Sequence, residues 1–337
     1  MSPKRIIISR TDSIGDVILT LPLAGILKKY FPDLHISFLG SAYTKDIVNC
    51  SKYIDEFIDW NQISNFTESE AINFIKSINA DSIIHVFPKK EIAKLAKKAG
   101  IKNRIGTTNR LYHWFTCNKL LRFSRKNSQL HEAQLNVKLL KPFGIEKEFN
   151  LQELAAFYGF ESKIPVSEYI LSLIDKQKFN LILHPKSKGS AREWGLENFA
   201  KLIEILPKEK YKIFITGTEA EANLMKTEIL NKYMNIIDLT GKLSLAEFIS
   251  FISISDGLIA ASTGPLHIAA ALEKVAIGIY PPIKPMHPGR WMPIGKNATY
   301  LVSEIYCEDC RKTNDCKCMR EISPEMVFSK LEEINNR

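Results

Sequence analysis

Gly257-Leu-Ile-Ala-Ala-Ser-Thr-Gly-Pro-Leu-His-Ile-Ala-Ala-Ala-Leu272 is the stretch that decides the fold. Its apolar run, Gly257 to Ala261, has the length and continuity of a strand buried on both faces, as parallel strands are. The small-residue turn Ser262 to His267 follows, and the alanine-rich run Ile268 to Leu272 continues as a helix. Strand, tight turn and helix in this order form the unit of a doubly wound α/β sheet. The turn also delivers the chain to a helix N-terminus, where unpaired N–H groups and the positive end of the helix dipole favour a phosphate. Gly264 would let such a ligand approach the main chain. Any tight βα turn needs small residues, so the anion cradle stands beside a purely conformational reading.

The same alternation recurs on both sides. Upstream, Asn180-Leu-Ile-Leu183 reads as a strand, followed by a loop to Trp194 and a helix with apolar positions Phe199, Leu202, Ile203 and Leu206. Tyr211 to Thr216 is the next strand, ending at Gly217. Ser244-Leu-Ala-Glu247 is a capping-box signature opening a helix whose buried stripe is Leu245, Phe248, Ile249 and Ile252. Downstream, Val275 to Tyr280 supplies a further strand, and Ser323-Pro324 caps a final helix. The front of the chain repeats the pattern. Ile6 to Ser9 is a β-branched run, Arg10 to Asp16 a turn, Val17 to Tyr30 a helical stretch, His35 to Leu39 a second strand, and Ser82 to Phe87 a later one ahead of a lysine-rich helix. Between the two halves, Lys141 to Val166 holds Pro142, Gly144, Gly159 and Pro165 with little periodicity and reads as the link. The expected organisation is two Rossmann-like domains, 1–165 and 166–337, with ligands at the carboxyl ends of their strands and a cleft between them.

Composition narrows the function. The net charge of +9 is uneven: residues 1–165 hold 24 Lys/Arg against 16 Asp/Glu, the remainder 22 against 21. Clusters at Lys89-Lys90, Lys94, Lys97-Lys98 and Lys119 to Lys126, including Arg122 and Arg125, suit an acidic partner: nucleic acid, anionic lipid or a phosphorylated substrate. They equally suit a solvated helix face. No apolar stretch approaches the ~18 residues needed to cross a bilayer, and the start lacks a signal-peptide pattern, so a cytoplasmic location is expected. Of six cysteines, Cys307, Cys310, Cys316 and Cys318 crowd the end. In a cytoplasmic chain they suggest metal thiolates or reduced thiols before disulfides, although the spacing fits zinc poorly.

Three turns carry candidate chemistry. In Arg10-Thr-Asp-Ser-Ile-Gly-Asp16, Asp16 reads either as a helix N-cap or as a carboxylate base, with Asp12 a competitor. His184-Pro-Lys-Ser-Lys-Gly-Ser-Ala-Arg-Glu-Trp194 offers Lys186, Lys188 and Arg192, with Ser187 and Ser190 as hydroxyl donors, to clamp a pyrophosphate opposite residues 262–267. Gly217-Thr-Glu-Ala-Glu221 places an acid after a strand, for ribose hydroxyls or for a helix first turn. No G-x-G-x-x-G follows Ile6 to Ser9, which argues against an NAD-binding first domain.

Taken in order, these motifs resemble the ADP-heptose:lipopolysaccharide heptosyltransferases, glycosyltransferase family 9. His131-Glu-Ala-Gln-Leu-Asn-Val-Lys-Leu-Leu140 and Cys307 to Met319 followed by Ile322-Ser-Pro add to the likeness, which covers nearly the whole length. The resemblance implies a GT-B architecture, two facing Rossmann-like domains, and an inverting, metal-independent transfer with no cofactor beyond the ADP-sugar donor. It places Asp16 as general base. Donor contacts fall on Lys186, Ser187, Lys188, Arg192, Glu221 (or Glu219), Ser262, Thr263, Gly264 and His267. Acceptor contacts fall on Arg10, Asp12, Ser13, Lys89 and Arg122. The implied partners are a nucleotide sugar and an anionic lipopolysaccharide core at the inner face of the cytoplasmic membrane, with peripheral association and no nucleic acid. Ser262 departs from the aspartate common in the family, which keeps open a GT-B enzyme using a different nucleotide sugar. The contrasting reading is a non-catalytic binder of anionic polymers or lipid with a zinc-held tail.

Overall fold

The computed structural model describes residues 3–125, 128–305 and 316–335. The chain divides into two units, Met1–Glu161 and Ser162–Arg337. The first holds β1 (Arg5–Ser9), β2 (His35–Gly40), β3 (Glu56–Asp59), β4 (Ser82–His85), β5 (Asn103–Thr107) and β6 (Lys119–Leu121). They form one sheet in the order β3-β2-β1-β4-β5-β6, every pair parallel. The second holds β7 (Phe179–His184), β8 (Tyr211–Ile215), β9 (Ile236–Asp238), β10 (Gly257–Ala261), β11 (Val275–Tyr280) and β12 (Ala298–Val302). Their order is β12-β11-β10-β7-β8-β9, again all parallel. Each sheet therefore repeats the same winding, and each reverses its strand order once, between β1 and β4 and between β7 and β10.

The central strands are buried along nearly their whole length, which is why they read as unbroken apolar runs rather than alternating ones. In the first unit Ile7, Leu39, Ile58 and Ile83 pack with Ile75 and Ile92 of the covering helices. In the second, Leu181, Leu183, Ile213, Ile259 and Ile277 pack with Phe199, Leu202 and Leu331. The stretch Leu151 to Tyr158 crosses the helix Pro22–Tyr30 closely enough that a Cβ on Gly25 would lie 2.3 Å from the Phe157 carbonyl oxygen.

Three expectations need correction. The helical stretch Val17 to Tyr30 is two helices, Ile14–Ile18 and Pro22–Tyr30, because Pro22 lacks the N–H that a continuous helix would use and instead starts the second one. The first helix also begins before Asp16. Its N-cap is Ser13, so Asp16 lies within the first turn and the N-cap reading of Asp16 does not hold. At the other end, Cys307 and Cys310 lie outside the described residues. Cys316 and Cys318 are buried in the second core; Cys316 is disulfide-bonded, contrary to the expected reduced or metal-bound thiols, whereas Cys318 is a reduced thiol, as that expectation had it.

Candidate functional site

In open α/β sheets, ligands bind outside the carboxyl ends of the strands where the strand order reverses. In the first unit that position belongs to the turn after β1. Arg10, only 3 % exposed, is its organiser. Its Nε donates to Asp12 Oδ1 at 2.8 Å and its Nη2 to Asp12 Oδ2 at 3.0 Å, a two-pronged pair. Nη2 also donates to Asp16, and Nη1 to Glu132 Oε1 at 3.2 Å. Burial alone would lower the Arg10 pKa, but Asp16, Asp12 and Glu132 raise it above its ordinary value. The guanidinium is a permanent cation.

Asp16 is held at both carboxylate oxygens, by Arg10 on one and by the Ser13 hydroxyl on the other. Its side chain remains 19 % exposed. Each oxygen keeps a further lone pair, so a hydroxyl from outside can reach it. Asp12 differs. Both its oxygens face the same guanidinium, and its carboxyl is shifted upward by burial first and by the Asp16 charge, against the pull of Arg10. Arg10 thus holds both acids, Asp12 through both oxygens and Asp16 through one while the Ser13 hydroxyl takes the other, and both side chains stay partly exposed, at 22 % and 19 %.

Behind Arg10 stand residues whose roles were not assigned from sequence. Glu132, 1 % exposed, accepts from both Arg10 and Arg125, and Asn136 binds back to the Leu19 carbonyl at 3.0 Å. Both lie on the helix Glu132–Val137, whose N-cap, His131, completes a capping box with Gln134. The available signal was the acid directly after a cap in the His131-Glu motif. Lys89 and Arg122 lie elsewhere. The Lys89 ammonium sits 5.1 Å above the Trp60 ring, and Arg122 lines a separate cavity of about 300 Å³ with Leu121, Phe123 and Lys138. Among the described residues neither bonds to the Arg10–Asp16 turn.

In the second unit the strand order reverses between β7 and β10, so the two loops flanking that point are the ones after His184 and after Ala261. These are the loops singled out from sequence. The helix Gly264–Ala271 has Thr263 as N-cap, yet the Thr263 hydroxyl makes no capping bond and is buried without a partner. The first-turn N–H groups are thus not taken up by a side-chain cap. His267 is buried one turn along, and the Tyr280 hydroxyl donates to the Trp291 carbonyl at 2.7 Å.

The loop after β7 is shaped by Glu193, which sequence reasoning passed over. It pairs with Lys186 and accepts from the Ser187 N–H at 2.9 Å and hydroxyl at 3.0 Å. Lys188 is held at φ +49°, in the left-handed region, and its N–H donates to Glu221 Oε1 at 3.2 Å. Glu221 closes a capping box with Thr218 on the helix Glu219–Met225. Burial pushes its carboxyl up, but the bonds from Thr218, the neighbouring His184 and the Lys188 N–H outweigh this and hold it below the usual carboxylate range. The cap reading of Glu221 holds, and its ionised carboxylate keeps lone pairs beyond those the cap uses. His184 donates to or accepts from Thr216 at 2.9 Å and stacks on Phe248. Burial lowers its pKa to about 4, so the ring is neutral near pH 7. The structure gathers Lys186 and Ser187 on Glu193, and Lys188 on Glu221. Arg192 belongs to the same loop, and Glu219 is exposed. Among the described residues no group of three or more His, Cys, Asp and Glu side chains has the arrangement of a metal site.

The chain matches the family model described as Glycosyltransferase family 9 (heptosyltransferase) over residues 74–319. A putative glycosyltransferase of Haemophilus influenzae is 27 % identical over 308 residues, 86 % of each chain. The lipopolysaccharide core heptosyltransferase OpsX of the same organism is 21 % identical over 333 residues, covering 92 % of this chain and 87 % of that protein. Among solved structures, the family 9 glycosyl transferase of Veillonella parvula superposes with a TM-score of 0.78 at 21 % identity, covering 98 % of this chain and 97 % of that one. The ADP-heptose LPS heptosyltransferase II of E. coli does so with a TM-score of 0.77 at 17 % identity and 98 % of both.

Proposed function

Because this chain belongs to glycosyltransferase family 9, the heptosyltransferases, we propose that it transfers heptose from ADP-heptose to a lipopolysaccharide core acceptor with inversion at the anomeric carbon. Its fold is GT-B, two doubly wound α/β units in one chain, and it is a glycosyltransferase. The observation that carries the donor reading is the placement of the residue 184–194 and 262–267 loops on either side of the point where the second sheet reverses its strand order.

In this mechanism Asp16, aimed by Arg10 and Ser13, takes the proton of the acceptor hydroxyl. The freed oxygen forms a bond to the anomeric carbon as the carbon–oxygen bond to the diphosphate breaks, and ADP leaves with that electron pair. Negative charge growing on the diphosphate meets Lys186, Lys188, Arg192 and the open N–H groups at Thr263 and Gly264. Those groups supply the stabilisation that a divalent ion provides in other transferases, hence metal-independent transfer. Glu221 accepts from the ribose hydroxyls, and His267 and Ser262 border the sugar. Asp12 and Ser13, held in place by the buried Arg10, meet the acceptor beside Asp16, and Lys89 and Arg122, away from that turn, attract more distant anionic groups of the acceptor. The acceptor is membrane-anchored, so the enzyme works peripherally at the inner face of the cytoplasmic membrane.

Release of ADP from ADP-heptose, with UDP- and GDP-sugars in parallel, tests the reading together with Asp16→Asn. A general base contributes about 10²- to 10⁴-fold, so kcat should fall by that factor while ADP binding is kept. Normal turnover by Asp16→Asn would remove Asp16 as base. Turnover of a UDP- or GDP-sugar in place of ADP-heptose would favour the second reading, a different donor, which rests on Ser262 standing where the family commonly has a carboxylate.

A further inference from the structure

On the helix Leu111–Thr116, Leu111 is 77 % exposed, Trp114 58 % and Phe115 68 %. Positions i, i+3 and i+4 share one helix face, so the three form a single apolar patch. The Trp114 indole N–H is satisfied internally by the Thr108 carbonyl at 3.1 Å, so its hydrogen bonding gives no reason for the ring to face water. Contiguous exposed apolar surface of this kind marks an interaction site. Its rim is cationic. The Lys97 ammonium donates to the Phe115 carbonyl at 2.8 Å, Arg110 caps the helix, and Lys94, Lys98, Lys102 and Lys119 are exposed nearby in the chain. Against them stand Glu91 and Glu68, the latter already paired with Lys98.

From this we infer that the helix Leu111–Thr116, with the lysines of the helix Lys90–Lys98 beside it, is a docking surface for a bilayer rich in anionic phospholipid. Leucine, tryptophan and phenylalanine on one face, ringed by lysine and arginine, is the composition that settles at the boundary of headgroups and acyl chains. The cations add attraction to an anionic leaflet. The position is apt as well. This helix follows β5, so it starts from the same carboxyl edge of the sheet as the Arg10–Asp16 turn after β1. The inference rests on the proposed membrane-anchored acceptor, for which it names the approach surface.

The test is flotation with vesicles of phosphatidylethanolamine and phosphatidylglycerol, 3:1, against phosphatidylcholine alone, with neither donor nor acceptor present. The protein should float with the anionic vesicles, lose that binding as salt rises, and show a blue shift that a Trp114→Phe variant lacks, Trp60 and Trp194 being buried at 7 % and 0 % exposure and Trp291 half-buried in the second unit. The variant Leu111→Ser/Trp114→Ser/Phe115→Ser should bind anionic vesicles at least ~10-fold more weakly, because three apolar side chains no longer leave water. It should keep its melting temperature and its transfer rate to a deacylated, soluble acceptor. If the triple variant does not fold, Phe115→Ser alone provides the comparison. Vesicle binding that is absent in the wild type, or unchanged in the variant, overturns the proposal. So does a wild-type dimer that the variant converts to monomer, which would assign the patch to a second copy. Wild-type vesicle binding without any transfer would instead refute the proposed activity and leave the docking surface standing.

Discussion

Replacing Glu132 by Gln tests whether the first unit is built around the Arg10 cluster. The Glu132 side chain is 2 % exposed, Arg10 is 4 % exposed, and Arg125 also bonds to the same carboxylate oxygen. At the 3.2 Å separation of Arg10 and Glu132, an effective dielectric of ~20 gives a gross attraction of about 5 kcal/mol. Part of that offsets the cost of taking Glu132 out of water, yet removing one partner leaves the other cations buried, and breaking such pairs costs about 3–5 kcal/mol. Glutamine keeps the shape and one acceptor oxygen, so the lower end, ~3 kcal/mol, is expected. That is a large share of the ~5–15 kcal/mol that holds a domain together. Denaturant unfolding followed by hydrogen exchange at the β1 and β4 amides would assign the loss to the first unit. The companion Glu132→Leu should cost at least as much, because it also removes the acceptor. A loss below ~1 kcal/mol with exchange in β1 and β4 unchanged, or a gain in Glu132→Leu, would refute the reasoning. In that case the desolvation cost would outweigh the pairing.

Lys188→Gly should relieve a left-handed backbone position and raise the melting temperature by a few degrees, a gain of up to ~1 kcal/mol, while weakening ADP binding through loss of the ammonium. A lower melting temperature with undiminished ADP affinity would contradict both halves. Acid should destabilise the protein through its buried imidazoles. His184 is lowered from 6.5 to about 4 and His85 from 6.5 to about 3, in both cases foremost by burial. The unfolded chain then binds more protons than the folded one, so their stabilisation is complete above pH ~6.5 and is lost as pH falls towards those values. The denaturant midpoint at pH 7, 6 and 5 should fall, and less steeply in His184→Gln; an identical slope in that variant would count against the assignment. Gly25→Ala should destabilise by about 1–3 kcal/mol despite alanine's better helix propensity, because the added methyl meets the Phe157 carbonyl. A gain in thermal stability would show that the crossing is looser than described.

Much was legible in the chain because the relevant interactions are local. Continuous apolar runs, small-residue turns and capping boxes lie within a few positions of one another, so β10, its turn and the helix Gly264–Ala271 could be read directly, as could the box of Ser244 and Glu247. The break at Pro22 was local too, but the apolar pattern running through it concealed it. What the sequence determined by itself is the doubly wound character of each half and the turns that could hold an anion. Only the tertiary structure decided which turns share a sheet edge, since strand order is a long-range property: β1 beside β4, β7 beside β10. It also decided what each acid touches. Arg10 holds Asp12 by two prongs, binds one oxygen of Asp16 and reaches Glu132, 122 positions away. Residue spacing cannot encode that choice, because a buried charge selects its partners by proximity in the folded chain.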